Sequence, residues 1–265
     1  MFFDLSSPAI FFLVFGIVLG TTLLGTLAGR LLRGHAETLR EPMGVLQAAL
    51  LGLVALIMAF GLTMAVGRYD TRRAAVVDEA NAIGTTYLRA QTLPEPIRSR
   101  AVNSLRQYID DVIGYSEAVP GSDEELAAIA NSERLQRFLW RDAGEALAEE
   151  PRDSAPRLYV ESLNEMIDME TARVSALNNR VPSAVLAVEV IGAAVALGLL
   201  ALYLAILSRG VVSVIFAAAF VSILLLITFD LDRPVRGLVR VPDRPLLDLR
   251  ASMELPPAAR APNGP

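Results

Sequence analysis

Cysteine is absent from this chain of 265 residues, and the only histidine is His35. Disulfides, thiolate metal sites, haem attachment and a cysteine nucleophile are therefore excluded. Lysine is absent as well, so all 24 basic residues are arginine, and the formal net charge is −5. This balance offers no basic surface for nucleic acid, and we expect no nucleic-acid partner.

Catalytic motifs are missing too. No nucleophile, base and orienting group occur at a meaningful spacing, and no glycine-rich phosphate loop is present. The sequence therefore predicts no enzyme, no catalytic residue and no cofactor. It leaves open whether a metal ion binds.

Long apolar stretches are what the sequence does contain, with 53% hydrophobic residues and a mean hydropathy of +0.45. Residues 8–28, 44–66, 183–207 and 210–229 each reach the length of about 20 residues that a helix needs to cross a bilayer. Asp4, and no basic region, precedes the first stretch, which favours a retained helix over a cleaved signal peptide. We predict an all-α membrane protein with four transmembrane helices in two pairs.

Helical spacing and prolines divide the chain into four predicted parts. Residues 1–67 hold the first two membrane helices, and residues 183–230 form a hairpin of the last two. Residues 68–182 are predicted as a helical extramembrane bundle, in which Ser122 and Glu125 have the spacing of a capping box. The second membrane helix is predicted to continue unbroken into this bundle as far as Pro94. Residues 231–265 are predicted to be a juxtamembrane segment and a disordered tail.

Arginines near the helix ends predict the orientation. They are more numerous on the side of the extramembrane domain, which favours a cytoplasmic domain with both termini on the same side. The first helix alone favours the opposite orientation, because Asp4 precedes it and Arg30, Arg33 and Arg40 follow.

Glu189 is a carboxylate inside the third apolar stretch, about 9 Å from its start if the stretch is helical. Charged groups at such positions usually face protein or water and mark a functional pathway. One hypothesis makes Glu189 an ion-coordinating or proton-titrating group in a pore. The other makes it a residue near the interface that pairs with Arg180 or Arg236.

Small residues follow one face of the second apolar stretch, at Gly44, Ala48, Gly52, Ala55, Ala59 and Thr63. Close packing of helices is the simpler interpretation of such a face. A pore lining is the alternative, with Gln47 and Thr63 as polar contacts for an ion and Phe60 as a hydrophobic constriction.

Polar residues also cluster where the chain leaves or enters the predicted membrane segments. They are Glu79, Asn81, Thr85, Arg89, Asn164, Asp168, Asp230, Asp232 and Arg233. Carboxylate and amide oxygens of this kind bind hard cations, so a metal or ion-entry site is one hypothesis. A salt-bridged junction that fixes the orientation of the helices is the other.

Several short stretches carry a family resemblance: Arg68-Tyr69-Asp70, EANAIGT at residues 79–85, Leu163-Asn164-Glu165 and DLDRP at residues 230–234. Together they resemble the uncharacterised bacterial bestrophin-like membrane proteins, over about residues 20 to 250. The resemblance implies a distant similarity to bestrophins, which are pentameric, calcium-activated anion channels with four membrane helices per subunit. The acidic calcium clasp and the aromatic pore neck of bestrophins have no counterpart in this sequence.

These observations favour a homo-oligomeric ion channel of the bacterial inner membrane, with the second helices around a central axis and with gating coupled to the helical domain. The resemblance implies anions as the permeant ions and a pentamer as the assembly, with the lipid bilayer and inorganic ions as partners. Two alternatives stay open. One is a membrane-anchored scaffold or signalling protein that binds a partner through its helical domain, and the other is a small transporter.

Overall fold

The protein is helical throughout the residues that the computed structural model describes, which are 7–119, 121–208, 210–233 and 237–257. The helices are α1 (Ser7–Leu31), α2 (Ala36–Ala90), α3 (Ile97–Glu117), α4 (Asp123–Glu149), α5 (Ser154–Asn178), α6 (Ser183–Ile206), α7 (Val211–Leu231) and α8 (Arg244–Met253). A 3-10 helix, Leu32–His35, joins α1 to α2. No strand occurs within these ranges. The predicted all-α class is confirmed.

Three helical stretches of the described residues are long and apolar enough to cross a membrane: Pro8–Ala90, Ser154–Ile206 and Val212–Leu231. The first of them runs through α1, the 3-10 helix and α2, and therefore contains the first two predicted spans. The second contains α5 and the apolar helix α6.

The chain divides into two compact units. The first unit comprises Met1–Tyr69 and Arg180–Arg240, and the second comprises Asp70–Asn179 and Val241–Pro265. Helix α2 is 55 residues long, and its residues fall in both units. The sequence predicted an uninterrupted helix here, because no proline occurs between Pro42 and Pro94. This helix is present as α2, and it ends at Ala90.

In the first unit, α1 packs against α6 and α7. Ile10, Val14 and Val18 of α1 are buried in the core of this unit, together with Leu197 of α6 and Leu225 of α7. Glycines let the backbones approach closely. A Cβ atom on Gly25 would overlap the carbonyl group of Gly198, and one on Gly29 would overlap the carbonyl oxygen of Leu202. Small residues of this kind are typical of contacts between membrane helices.

In the second unit, a hydrophobic core joins the last part of α2 to α3, α4, α5 and α8, through residues such as Ile83, Leu105, Leu139, Leu163 and Leu246. The Ser122 half of the predicted capping box is present at the start of α4, whereas Glu125 accepts from the residue before the N-cap. Ser122 accepts a hydrogen bond from the backbone N–H of Glu125 (3.2 Å). The carboxylate of Glu125 in turn accepts one from the N–H of Gly121 (2.6 Å).

Helix α8 lies within residues 231–265, for which the sequence predicted a juxtamembrane segment and a disordered tail. Leu246 and Met253 are buried against the core of the second unit. The hydroxyl of Tyr87 and the guanidinium of Arg106 donate hydrogen bonds to the carbonyl oxygen of Met253, at 2.9 and 2.8 Å. Apolar burial and these bonds order residues 244–253 as a helix.

Candidate functional site

Helix α2 has two different faces within the first unit. Leu51, Val54, Met58, Gly61 and Ala65 recur at intervals of three or four residues and face the core of the unit. The small residues Ala48, Gly52, Ala55, Ala59 and Thr63 lie on the other side and are exposed. A Cβ atom built on Gly52 meets no other atom within 4 Å. The first unit therefore leaves this small-residue face uncovered, apart from a contact of Gly44 with the Tyr203 ring.

The predicted pore residues of α2 do not share one face. Phe60 is 62% exposed, and Thr63 is exposed with its hydroxyl donating to the carbonyl oxygen of Ala59 (2.7 Å). Gln47 is half-buried on the packed side of the helix. Its side-chain oxygen is buried and has no hydrogen-bond partner among the described residues.

Glu189 lies in the interior of the first unit, on α6, with only 1% of its surface exposed. Its carboxylate lies against Gly61 of α2, where a Cβ atom on the glycine would overlap it. Neither carboxylate oxygen has a hydrogen-bond partner in the described part of the chain, so the predicted pairing with Arg180 is not present there. Arg236, the other predicted partner, lies outside the described residues.

Buried polar residues lie in the last turn of α7 and just after it. Both carboxylate oxygens of Asp232 accept the backbone N–H of Val181 at 3.0 Å, just before α6. Asp230 accepts the N–H of Val239 at 2.9 Å. Asp230, Asp232 and Arg233 are all at most 4% exposed. The two carboxylates thus hold backbone segments that enter α6 and leave α7.

The predicted polar residues of the second unit form separate contacts. Asn164 donates to Asp168 (3.1 Å) one turn along α5, on the exposed side of that helix. Arg89 donates to the carbonyl oxygen of Leu158 (2.6 Å). Asn81 and Thr85 are exposed. Within this unit the predicted residues do not converge on one centre.

The second unit contains a buried ion pair between Glu79, which the sequence singled out, and Arg173, which it did not. Glu79 of α2 and Arg173 of α5 form an ion pair in which both side chains are at most 2% exposed. Arg173 also donates to the Ser116 hydroxyl (2.8 Å), and its guanidinium lies 5.0 Å from the centre of the Tyr115 ring. Glu79 and Arg173 are distant in sequence, so no local pattern could have paired them.

Three carboxyl groups, those of Glu79, Glu170 and Asp243, interact with Arg173. Burial raises the pKa of Glu79 to about 7, although the positive charge of Arg173 opposes the rise. Burial also raises the pKa of Glu170, which accepts a hydrogen bond from Gln136, and the pKa of Asp243. This part of the second unit therefore contains carboxyl groups that change protonation at higher pH than carboxyl groups in water.

The family model of the bestrophin-like domain matches residues 10–246, which is most of the chain. The chain belongs to the bestrophin-like family. This bestrophin-like protein is accordingly an integral membrane protein, and the family implies a function of the ion-channel kind, as the sequence predicted.

Solved structures match the bestrophin-like chain over nearly its whole length. A point variant of a bacterial bestrophin homologue from Klebsiella pneumoniae has a TM-score of 0.63 at 16% identity, covering 88% of this chain and 99% of its own. A second structure of that homologue gives 0.62 at 15% identity, covering 88% and 98%. A variant described as a membrane protein gives 0.60 at 17% identity, covering 89% and 95%. At these identities the likeness concerns the fold. A search of the curated proteins gave no match.

A metal site in this bestrophin-like protein would need several histidine or carboxylate side chains grouped together. Among the described residues, no group of three or more histidine and carboxylate side chains is placed to hold a metal ion. The buried carboxylates of Asp230 and Asp232 accept backbone N–H groups. The hypothesis of a junction that fixes the orientation of helices fits these contacts better than a cation site does.

Proposed function

We propose that this chain is one subunit of a homo-oligomeric ion channel in the bacterial inner membrane. In this proposal α1, the first part of α2, α6 and α7 cross the bilayer, and the second unit and both termini are cytoplasmic. Copies of the chain surround a central axis, and α2 of each copy lines the pore. The resemblance to bestrophins makes anions the expected permeant ions and a pentamer the expected assembly.

The uncovered face of α2 is the observation that carries this proposal. Gly52, Ala55, Ala59 and Thr63 are exposed in the single chain, whereas the opposite face of the same helix is packed. Four membrane helices are too few to enclose a wide pore alone, and symmetric rings are a common way to build one. A ring in which these faces point to the axis would give a narrow pore lined by small side chains.

Two exposed side chains of α2, Thr63 of this face and Phe60 beside it, are proposed to act on the permeant ion. Phe60, which is 62% exposed, would form a hydrophobic constriction, and Thr63 would offer hydroxyl and backbone oxygen dipoles one turn away. Gln47 is not included, because it lies on the packed side of α2. The residue bounds predicted from the sequence, 1–67 and 183–230 for the membrane parts, are retained as part of the proposal.

The absence of cysteine from the natural chain provides a direct experiment. Single variants Ala55→Cys, Ala59→Cys and Thr63→Cys would be reconstituted into liposomes, and the flux of chloride and of potassium would be measured with and without a charged thiol reagent. We expect the reagent to reduce flux at least several-fold in these variants. Val54→Cys and Ala65→Cys, on the packed face of α2, serve as matched controls that retain flux.

Two outcomes would contradict the proposal. Equal inhibition of the variants on both faces would mean that the exposed face of α2 does not line the pore. No flux of either ion in any variant or in the wild-type protein would remove the channel hypothesis. In that case, a stable cytosolic partner recovered with the second unit would favour the scaffold hypothesis, and substrate-dependent exchange would favour a transporter.

A further inference from the structure

Glu189 of α6 contacts the packed face of α2, which is opposite to the uncovered face. The carboxylate lies against Gly61, which is buried, while Ala59 and Thr63 on either side are exposed. With about 100° of rotation per residue, Gly61 lies roughly 160° around the helix from Ala59 and from Thr63. The functional role predicted for Glu189 therefore cannot be direct contact with an ion that passes along the small-residue face.

No hydrogen-bond partner of the Glu189 carboxylate lies among the residues that the structure describes. Helix α6 packs on α1 and α7, and Gly61 and Val54 bring α2 against it. No acid or base occurs in α1 before Arg30, in α2 between Glu41 and Arg68, or in α7 before Asp230. In α6 the other titratable group is the Tyr203 phenol, about 21 Å along the helix.

The two carboxylates at the end of α7 accept backbone N–H groups, and the nearest ionisable residues of α2 lie further along that helix. Asp232 accepts the N–H of Val181, which precedes Glu189 by eight residues, and Asp230 accepts the N–H of Val239. Tyr69 and Arg68 of α2 lie more than about 10 Å along that helix from Gly61. Arg233 follows α7 beside the two aspartates.

A charged carboxylate in these surroundings is unfavourable. Ionised side chains buried without a partner lose their hydration and gain no compensating interaction, whereas a neutral carboxyl group costs far less. Both oxygens of Glu189 lack a hydrogen-bond partner among the described residues, and the space left by the missing side chain of Gly61 just accommodates them. The packing of α6 on α2 at this level therefore fits the neutral carboxyl group.

We propose that Glu189 is a proton-binding site within the membrane part of the protein, and that it keeps α2 packed on α6 only while the proton is bound. When the proton leaves to water, the charged carboxylate has to gain hydration, and α6 separates from α2 beside Gly61. The inference does not depend on ion flux. If α2 lines a pore, Glu189 lies on the side of α2 that faces away from the pore, and its protonation regulates the position of α2.

Carbodiimide labelling tests whether Glu189 holds a proton in an apolar environment. The carboxyl oxygen adds to the central carbon of dicyclohexylcarbodiimide while its proton passes to a carbodiimide nitrogen, and the adduct rearranges to a stable acylurea. In proteoliposomes we expect mass spectrometry to find this adduct on Glu189, with a yield that falls as the pH is raised. A water-soluble carbodiimide should leave Glu189 unlabelled. Absence of the adduct at every pH, or equal labelling by the soluble reagent, would overturn the proposal.

A disulfide between α2 and α6 tests the mechanical part of the proposal. A Cβ atom on Gly192 would lie 3.2 Å from the Val54 side chain, one turn from Glu189. The double variant Val54→Cys/Gly192→Cys would be oxidised at several pH values, with and without Glu189→Gln. We expect the fraction cross-linked at alkaline pH to be at least several-fold higher with glutamine, which remains neutral. Identical pH profiles in the two backgrounds would show that the proton does not control this contact.

Discussion

At the scale of single residues, Glu79 and Arg173 are ionisable groups buried in the interior of the second unit. Both side chains are at most 2% exposed, and removal of one member of such a pair leaves the other buried without a counter-charge. The effect of burial on the pKa of Glu79 is larger than the opposing effect of the Arg173 charge. The pKa therefore rises from 4.5 to about 7. The protonation of Glu79 is therefore coupled to folding.

The raised pKa predicts that stability falls with pH. Between pH 4.5 and about 7 the folded protein holds a proton on Glu79 that the unfolded chain has released. The contribution of Glu79 to the free energy of unfolding therefore decreases as the pH rises through this window, by about 3 kcal/mol, and is then constant. Thermal unfolding of the full chain in detergent, from pH 5 to pH 8, should show a smaller decrease in Glu79→Gln than in the wild type.

Glu161→Gln is the matched control for this prediction, because the Glu161 side chain is 71% exposed and lies 3.7 Å from Arg89. Its pH profile should follow that of the wild type. If Glu79→Gln keeps the full decrease between pH 5 and pH 7, another group is responsible. Glu170 and Asp243, whose pKa values are also raised by burial, would then be the next variants to measure.

At the scale of helices, the contact of α1 with α6 depends on two glycines that face each other. Gly25→Ala should destabilise the protein by about 1–3 kcal/mol, because the added methyl group would overlap the carbonyl group of Gly198. Gly16→Ala is the control, since no atom lies within 4 Å of its Cβ position. Thermal unfolding in detergent measures both. An equal melting temperature for the two variants would show that α1 moves away from α6 at little cost.

The helices themselves could be predicted because their signals are local. Apolar stretches, prolines and the Ser122–Glu125 capping box predicted most of the helices from α1 to α7. Helix α8 could not be predicted, since ten residues with two buried side chains become helical only through contacts with distant residues such as Tyr87 and Arg106. Likewise, the position of Glu189 against Gly61 depends on the rotation of α2, which the sequence of either helix alone does not determine.

At the scale of the whole molecule, the uncovered face of α2 predicts how copies of the chain meet. If Gly52 of each subunit faces a common axis, Gly52→Cys brings symmetric thiols close together in a chain that has no other cysteine. A short bifunctional thiol reagent applied in membranes should then yield covalent dimers on a denaturing gel, because each subunit carries one thiol and each thiol binds one end of the reagent. In a pentamer at least one of the five subunits would stay unlinked.

The control for these dimers places the thiol on the opposite side of the same helix. Val54 is 6% exposed and faces the core of the first unit, so Val54→Cys should remain monomeric under the same treatment. Random collisions between proteins would give a dimer yield that falls as the protein is diluted with lipid, whereas the yield within a closed ring does not change on dilution. A monomeric Gly52→Cys protein would contradict the proposed assembly, because the face that carries the pore hypothesis would then contact only lipid.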